Sequence, residues 1–314
     1  MVVDAEIDER LDGAVVVASV SGGKDSTALS LHLSELGIEH GRVFADTGWE
    51  HPWTYEHVDY LQTVLGPIDK VQSDVGGMAQ WVEKKGRFPS RRGRWCTDEL
   101  KVKPIKKYVR EAQDMFGDVV NAVGIRGQES KARSKMEEWE WSDAFDCWVW
   151  RPLINWSEQD VIDIHTRHGV KPNRLYLEYN SVTRVGCWPC IFSRKSEIAT
   201  ISRESPWRID QIEDLEAMVK RQTIARLAVK GETLEEKGWN PPTFFNVSDP
   251  IADTALNDMV QIRDVVEWAQ TSSGGRQREL FYDNSGGCVR WGLCETSSEP
   301  PPSSEADSTE EDGE

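Results

Sequence analysis

A short string of glycine, charged and hydroxyl residues follows the first apolar run of the chain, residues 14–20. The string consists of Ser21, Gly22, Gly23, Lys24, Asp25 and Ser26. The valine-rich run before it predicts a buried strand, and residues 27–33 begin a helical pattern after it. At such a strand–turn–helix junction, unpaired backbone N–H groups and the helix dipole attract an anion. The spacing therefore predicts an anion site in the turn.

Each residue type in this string has a use at a phosphate site. Gly22 and Gly23 allow positive φ and close approach of a phosphate, and Lys24 supplies a mobile positive charge. Asp25 and Ser26 can cap the following helix, and either could hold a metal–phosphate complex. The alternative is an ordinary βα turn with a helix cap. The string is not a Walker A loop, which has four residues between its first glycine and Gly-Lys.

The six cysteines include two closely spaced pairs, Cys187 with Cys190 and Cys288 with Cys294. In an intracellular chain such spacing favours metal binding or catalysis over disulfide bonds. Cys-x-x-Cys directs two thiolates at one ion, and the second pair could complete a four-sulfur site. Four thiolates suit zinc or an iron–sulfur cluster, and the spacing does not decide between them. Cys147 is expected to be a small buried core residue.

The remaining cysteine of interest, Cys96, lies in the most basic segment of the chain, residues 84–110, where the only acids are Asp98 and Glu99. This concentration of one charge favours a phosphate-rich ligand over a solvated helix face, so nucleic acid and a sulfur-donor protein are candidate partners. Neighbouring cations are expected to lower the pKa of the Cys96 thiol. They are Arg91, Arg92, Arg94 and Lys101. Three roles stay open for Cys96: a metal ligand, a sulfur-carrying nucleophile, or a residue that merely starts a helix.

Most of the negative charge lies at the two ends of this 314-residue chain. Of the net charge of −17, residues 295–314 carry −8 and residues 1–12 carry −4, which leaves −5 for residues 13–294. The central part is therefore compatible with a polyanionic ligand. We expect residues 1–12 to be a disordered acidic lead-in and residues 295–314 a disordered acidic tail. No apolar run reaches membrane-spanning length and no basic signal-peptide start is present, so a cytoplasmic protein is expected.

Apolar strands alternate with helical patterns through the first part of the chain. Further strands are predicted at residues 40–45, 68–72 and 119–125, which gives an α/β fold with a doubly wound, mainly parallel sheet. Ligands of such sheets bind at the carboxyl ends of the strands, so the residues just after the second and fourth strands are candidate site residues. They are Asp46, Thr47, Gly124, Arg126, Glu129 and Arg133. A β-hairpin is predicted at Trp139, Trp141, Trp148 and Trp150, with the rings as packing and base stacking as the alternative.

Taken in order, these motifs resemble the phosphoadenosine phosphosulfate reductase family of the adenine-nucleotide α-hydrolase-like, pyrophosphate-loop superfamily. The resemblance covers residues 14–192. It rests on Ser21 to Ser26; Asp46 to Gly48 with Pro52; Cys96 to Lys101 with Pro104; Gly124 to Arg126 with Glu129, Ser130 and Arg133; Trp156; Asn173 to Tyr176; and Gly186 to Cys190. It implies that the loop holds nucleotide phosphates, that Asp46 lies beside the nucleotide, and that Lys101 and Arg126 face the anionic group. It also implies a nucleotide-binding domain over residues 13–192 and a helical, cysteine-bearing region over residues 193–294.

What the resemblance implies about the reaction depends on one further motif. The true sulfonucleotide reductases of the family carry a C-terminal Glu-Cys-Gly-x-His segment, whereas this chain has Leu293, Cys294 and Glu295 in that region. The chain is therefore more similar to the DNA-phosphorothioation sulfur-transfer branch, and this similarity favours an iron–sulfur cluster, with zinc as the alternative.

The expected reaction splits ATP into AMP and pyrophosphate with the help of Mg²⁺ and activates a substrate for sulfur transfer, with nucleic acid as a candidate acceptor. Its expected catalytic residues are Lys24, Asp25, Cys96, Lys101 and Arg126. The alternatives are a sulfonucleotide reductase and a nucleotide-binding module without turnover. The oligomeric state stays open.

Overall fold

The computed structural model describes residues 9–237, 243–245, 260–272 and 291. Its centre is a six-stranded sheet with the strand order β3-β2-β1-β4-β6-β5, in which only β5 runs antiparallel to its neighbour. The strands are β1 (Val15–Ser19), β2 (His40–Asp46), β3 (Asp69–Gln72), β4 (Val119–Ala122), β5 (Trp139–Ser142) and β6 (Cys147–Trp150). The predicted doubly wound, mainly parallel sheet is confirmed.

Helices connect the strands and form the region that follows the sheet. They are α1 (Lys24–Glu35), α2 (Pro52–Leu65), α3 (Met78–Lys85), α4 (Lys103–Phe116), α5 (Glu158–Arg167), α6 (Arg174–Glu178), α7 (Lys195–Glu204), α8 (Pro206–Val229), α9 (Leu234–Lys237) and α10 (Ile262–Gln270). A helical turn, Trp95–Thr97, and a π-helical stretch, Asp98–Val102, lead directly into α4. None of the helices in the described ranges is both long and apolar enough to cross a membrane.

The register of the parallel strands brings their carboxyl ends to one edge. Ser19 of β1 is level with Val43 of β2, and Ala18 of β1 is level with Ala122 of β4. Strand order reverses between β1 and β4, since β2 and β3 lie on one side of β1 and β4 on the other. The segments that follow β1, β2 and β4 therefore surround one crevice, where open α/β sheets bind their ligands.

Apolar side chains cover both faces of the sheet and form a further core beyond it. One face packs Val17, Val43 and Val119 against Val109 of α4, and Cys147 belongs to this cluster with 3% of its surface exposed. The prediction of Cys147 as a small buried core residue is confirmed. The further core packs α8 against Trp49, Trp188 and the segment after β2.

The tryptophans of β5 and β6 form the predicted hairpin and pack against each other. Trp139 stacks on Trp150 with ring centroids 5.0 Å apart, and Trp141 meets Trp148 edge to face at 5.7 Å. The guanidinium of Arg10 lies 5.1 Å from Trp139, and Leu11 packs against the core. This apolar and stacking surface holds residues 9–12 against the sheet region, and the lead-in expected over residues 1–12 stays a prediction. Residues 1–8 and the expected tail at 295–314 lie outside the described residues.

A buried carboxylate on α8 connects the C-terminal segments to the rest of the chain. The two oxygens of Glu216 accept hydrogen bonds from the backbone N–H groups of Phe244 and Ile262, each at 2.9 Å. Burial raises the pKa of Glu216, while these two bonds act in the opposite direction. Phe244 in turn stacks on Trp49 with centroids 6.0 Å apart. The pairing of Glu216 therefore fixes residues that are remote in sequence against the core.

Protonation of a buried histidine on α2 should make the fold sensitive to acid. His57 is 8% exposed, and burial, with a smaller effect of His165, lowers the pKa of His57 to about 4. The folded protein therefore binds this proton more weakly than the unfolded chain, whose histidine has a pKa of about 6.5. Stability is consequently lost as the pH falls from about 6.5 toward 4.

When the pH falls from 7 to 5, the free energy of unfolding should decrease in both the wild type and His57→Leu. We expect the decrease to be about 2 kcal/mol smaller in His57→Leu, because the variant has no imidazole ring to protonate at this position. Urea unfolding at the two pH values, followed by circular dichroism, measures this difference. Parallel pH dependences of the two proteins would contradict the burial of a neutral His57 ring.

Candidate functional site

The loop between β1 and α1 is held by hydrogen bonds among its own residues. The Ser26 hydroxyl donates to the Gly23 carbonyl at 3.0 Å and accepts from the Ser21 N–H at 3.0 Å. Gly22 has a φ of 72°, and a Cβ there would lie 3.1 Å from the Thr54 methyl group, so glycine is required. Gly23, in contrast, has an extended backbone and is the N-cap of α1.

Two expectations for this loop are therefore wrong. Of the two glycines only Gly22 has a positive φ, and neither Asp25 nor Ser26 caps α1, because the N-cap residue is Gly23, which has no side chain. Ser26 instead bonds across the turn. The N-cap residue therefore supplies no side-chain acceptor to the N-terminal amides of α1, and of these the Lys24 N–H donates to the Tyr176 hydroxyl at 3.3 Å. Such a helix end is suited to an anion.

Lys24 is held inward and is not the mobile charge expected from the sequence. It is 7% exposed, its Nζ donates to the Thr183 carbonyl at 2.9 Å, and Nζ lies 3.3 Å from Glu158. The ammonium also lies 5.0 Å from the centre of the Tyr176 ring. A buried ammonium needs such partners, since leaving it unpaired is costly.

The end of β4 approaches the first turn of α1 and brings the second group of predicted residues to the loop. A Cβ on Gly124 would be 2.7 Å from the carbonyl oxygen of Asp25, so the approach requires glycine. Two residues later, the buried Arg126 forms an ion pair with Asp25. The Arg126 N–H donates to Glu129 at 3.0 Å, and Glu129 pairs with Arg133. The structure thus brings these residues together, and their contact with a nucleotide stays a prediction.

Residues after β2 form a hydrogen-bonded carboxylate network at the same edge. Asp46 accepts from the Gly48 N–H and from the Tyr55 hydroxyl, both at 2.8 Å. Glu50, which is buried, accepts from the Thr47 hydroxyl at 2.5 Å and lies 3.0 Å from the Tyr55 hydroxyl. Burial and then the Glu50 charge raise the pKa of Tyr55 above its usual range. Asp46 and Thr47 were predicted from the sequence, whereas Glu50 was missed.

The Cys-x-x-Cys segment pairs with the chain that follows β2. The Trp188 N–H donates to the Trp49 carbonyl at 2.7 Å, and the Trp49 indole donates to the Pro189 carbonyl at 3.1 Å. The peptide between Trp188 and Pro189 is cis. This pairing brings Cys187 to the carboxylate network, with its Sγ 3.9 Å from the Thr47 hydroxyl.

A half-buried cation, Lys101, connects the thiols with the carboxylate network. A thiolate at Cys187 has the largest effect in raising the pKa of Lys101, and the Glu50 charge acts in the same direction. Cys190 and Cys96 add to this effect, so Lys101 is electrostatically coupled to all three thiols. We define Cys96, Cys187 and Cys190 as the thiol group. Burial nevertheless raises the pKa of Cys187 to about 11, so its thiol is predominantly protonated at neutral pH when no ligand is bound.

The expected lowering of the Cys96 pKa is wrong. Burial raises the pKa of Cys96, repulsion from Cys190 adds to the increase, and Lys101 opposes it only in part. The arginines just before Cys96 in sequence are exposed to solvent, where their charges are screened. Burial of the thiol therefore outweighs the cations that suggested a thiolate.

The thiol group by itself does not make up a metal site. Across residues 9–237, 243–245, 260–272 and 291, no three His, Cys, Asp or Glu side chains adopt a metal-binding arrangement. The other two predicted ligands, Cys288 and Cys294, lie outside the described residues. The four-sulfur site therefore stays a prediction from the spacing of the cysteines.

Tyr176 is a buried residue that links the loop to the cysteine segment, and it was not among the predicted site residues. Its hydroxyl accepts from the Lys24 N–H at 3.3 Å and from the Val185 N–H at 3.1 Å. Nearby, the Asn173 amide donates to the Gly22 carbonyl at 3.1 Å. The Trp291 ring lies 6.1 Å from the Tyr176 ring. Asn173 to Tyr176 formed part of the family resemblance, which was the available signal for this role.

We expect Tyr176→Phe to lower the free energy of unfolding by about 1–3 kcal/mol and to weaken ATP binding, because two buried N–H groups lose their acceptor. Chemical unfolding and calorimetric titration with ATP measure the two effects. Tyr60→Phe is a matched control, since the Tyr60 hydroxyl accepts one N–H bond, from Lys171, at an exposed position. Equal behaviour of the two variants would refute the linking role of Tyr176.

Comparisons with known proteins identify the family of this chain. A family model for the phosphoadenosine phosphosulfate reductase domain matches residues 15–193. The chain is 32% identical to an uncharacterized 37.8 kDa protein of Escherichia phage 186, over 88% of this chain and 94% of that protein. It is 30% identical to a phosphoadenosine 5'-phosphosulfate reductase of Alkalilimnicola ehrlichii, over 54% of this chain and 67% of that enzyme.

Among solved structures, a phosphoadenylyl-sulfate reductase from Candida auris in complex with phosphate aligns with a TM-score of 0.42 and 19% identity. The alignment covers 55% of this chain and 81% of that one.

Proposed function

This chain belongs to the phosphoadenosine phosphosulfate reductase family, and from that premise we propose that it is a cytoplasmic enzyme that binds an adenine nucleotide at Ser21–Ser26. The observation that carries the proposal is the convergence of three features on one sheet edge. They are the N-terminus of α1, whose N-cap residue Gly23 has no side chain, the Arg126–Asp25 ion pair, and Lys101 beside the thiol group. The N-terminus of the helix suits a phosphate, and the ion pair fixes the loop. Lys101 places a cation beside cysteines that could serve as sulfur ligands or nucleophiles.

The proposed reaction is cleavage of ATP between its α- and β-phosphates. An acceptor oxygen attacks the α-phosphorus, the new P–O bond forms, and the bond to the bridging oxygen breaks so that pyrophosphate leaves. A sulfur nucleophile then displaces AMP from the activated acceptor. The loop amides, Lys24 and Arg126 are the groups proposed to stabilise the charge that develops on the phosphates.

Mg²⁺ bound with the nucleotide would supply further charge neutralisation at the departing pyrophosphate. Asp25 and Ser26 are its predicted ligands, although Asp25 pairs with Arg126 and Ser26 bonds to Gly23 in this structure. An iron–sulfur cluster, with zinc as the alternative, is the cofactor predicted for the cysteines. Because the described residues do not complete a metal site, no step is assigned to that cofactor.

Sulfonucleotide reduction is the second candidate function. It is favoured by the similarity to proteins named phosphoadenosine and adenosine 5'-phosphosulfate reductases. It is disfavoured by the absence of a Glu-Cys-Gly-x-His segment from the sequence. A nucleotide-binding module without turnover is the third candidate.

Product analysis separates these candidates. With ATP, Mg²⁺, a thiol sulfur source and oligonucleotide acceptors, we expect the full chain to release AMP and pyrophosphate. Release of ADP and phosphate would refute the proposed cleavage, sulfite release from phosphoadenosine phosphosulfate would establish the reductase, and binding without any product would indicate the module.

Substitution of Lys101 tests the same proposal at one residue. Lys101→Met is expected to lower product formation about 100-fold, since it removes a positioned positive charge from the site. Lys107→Gln is the control, because Lys107 lies on α4, which continues the segment of Lys101, and is exposed in an ion pair with Asp74. Unchanged turnover in Lys101→Met would exclude Lys101 from the reaction.

The metal content of the anaerobically purified full chain tests the cofactor prediction independently of turnover. About four irons per chain and a brown colour are expected for a cluster. Zinc alone would favour the alternative, and neither metal would contradict the four-sulfur site. Cys187→Ser should abolish the bound metal, whereas Cys147→Ser should retain it, because Cys147 is buried in a different core.

A further inference from the structure

The loop before Cys96 carries four exposed arginines, and two of them lie beside an exposed aromatic ring. Arg87, Arg91, Arg92 and Arg94 are all exposed, and the guanidinium groups of Arg91 and Arg94 each lie 5.9 Å from the centre of the Phe192 ring. Phe192 is 36% exposed. We define these four arginines and Phe192 as the arginine patch.

The arginine patch carries a local excess of positive charge, unlike those lysines of the basic segment that form ion pairs. Lys85 and Lys103 pair with Glu99, and Lys107 pairs with Asp74. No carboxylate in the described parts of the chain forms an ion pair with any arginine of the patch. Within the described residues this loop therefore holds four positive charges without a carboxylate partner, although the whole chain carries −17.

The side chains of the patch match those that bind single-stranded nucleic acid. Such strands are held by cations that neutralise phosphates and by aromatic rings on which bases stack. A cation close to the ring can add cation–π stabilisation to the stack. Phe192 offers a ring for base stacking, and the two guanidinium groups beside it offer charges for phosphates. An acidic protein surface would bind through the arginine charges alone and would not require the exposed ring.

The position of the patch relates it to the thiol group. Arg94 lies two residues before Cys96, and Phe192 lies two residues after Cys190. Two residues of chain span at most about 7 Å between Cα atoms. A strand bound on the patch would therefore lie next to the thiols, at the same edge of the sheet as the nucleotide loop.

We propose that the arginine patch binds single-stranded nucleic acid and presents it to the thiol group. The role of that strand as sulfur acceptor rests on the proposed function, whereas its binding does not require nucleotide or turnover. The two proposals can therefore fail separately.

The test is fluorescence anisotropy with the full chain and a labelled single strand of about 20 nucleotides, longer than the site of one binding domain. DNA, RNA and the corresponding DNA duplex are titrated without ATP.

The double variant Arg91→Gln, Arg94→Gln is expected to weaken single-strand binding at least about tenfold. It should also reduce the slope of log affinity against log salt by about 1.4, because two phosphates are no longer neutralised. Phe192→Leu is expected to weaken binding about fivefold or more without changing this slope, because only base stacking is removed.

The matched control is Lys107→Gln, Arg110→Gln, which removes the same charge from the same basic segment. A rise of 1.5 Å per helical residue puts Arg110 about 20 Å from the patch, so affinity should change less than about threefold. Circular dichroism verifies that each variant is folded.

The proposal is overturned if the wild type fails to bind single strands, if the control loses as much affinity as the patch variants, or if polyglutamate binds as tightly as the oligonucleotide. The last result would assign the patch to an acidic protein partner instead.

Discussion

The close approach of β4 to the first turn of α1 is the contact on which the arrangement of the site depends. Without a side chain at Gly124, the backbone passes the Asp25 carbonyl at a distance that a Cβ would forbid. Arg126 then reaches Asp25, and burial makes this ion pair costly to break, since either charge alone would lack a partner. On its other side the loop is held by Asn173 and Tyr176. The backbone amides that would face a phosphate are thus fixed before any ligand arrives, which is what electrostatic stabilisation of a reacting phosphate requires.

Two buried charges on α8 extend this order to the C-terminal part of the chain. Arg208 donates to the Glu50 carbonyl at 3.1 Å and lies 4.1 Å from the Trp49 ring, while burial lowers the pKa of Arg208 to about 10. Glu216, two turns further along the helix, binds the N–H groups of Phe244 and Ile262. Because each charge has its partners on a different segment, displacement of α8 would leave both partly unpaired. Helix α8 therefore connects the carboxylate network to the segments that lead toward the last cysteines.

The sequence predicted the features that depend on local pattern. Valine-rich runs, alternating helices and the glycine turn identified the parallel sheet and the loop at its edge, and the tryptophan spacing identified the hairpin. It did not predict the partners of Lys24, since Thr183 is 159 residues away in the chain and no local pattern records such a contact. Tyr176 bonds to the Lys24 N–H across 152 residues, and only the family resemblance pointed to it. Glu50 was missed although its partners Thr47 and Tyr55 are close in sequence, because its burial follows from tertiary packing. The predicted direction of the shift in the Cys96 pKa was wrong. Charged residues can be read from a sequence, whereas burial follows from tertiary packing, and burial has the larger effect on this thiol.

The inward position of Lys24 makes anion binding at the loop an exchange of partners. Glu158, in the first turn of α5, already neutralises the ammonium at 3.3 Å, so a phosphate that recruits Lys24 must compete with a carboxylate. The same movement removes the donor from the Thr183 carbonyl, four residues before Cys187. The Tyr176 hydroxyl meanwhile binds both the Lys24 and the Val185 N–H groups. Any ligand that draws Lys24 outward therefore alters the hydrogen bonding of the segment that carries Cys187 and Cys190. Occupancy of the loop and the position of the thiols are coupled through bonds that the chain must break and remake.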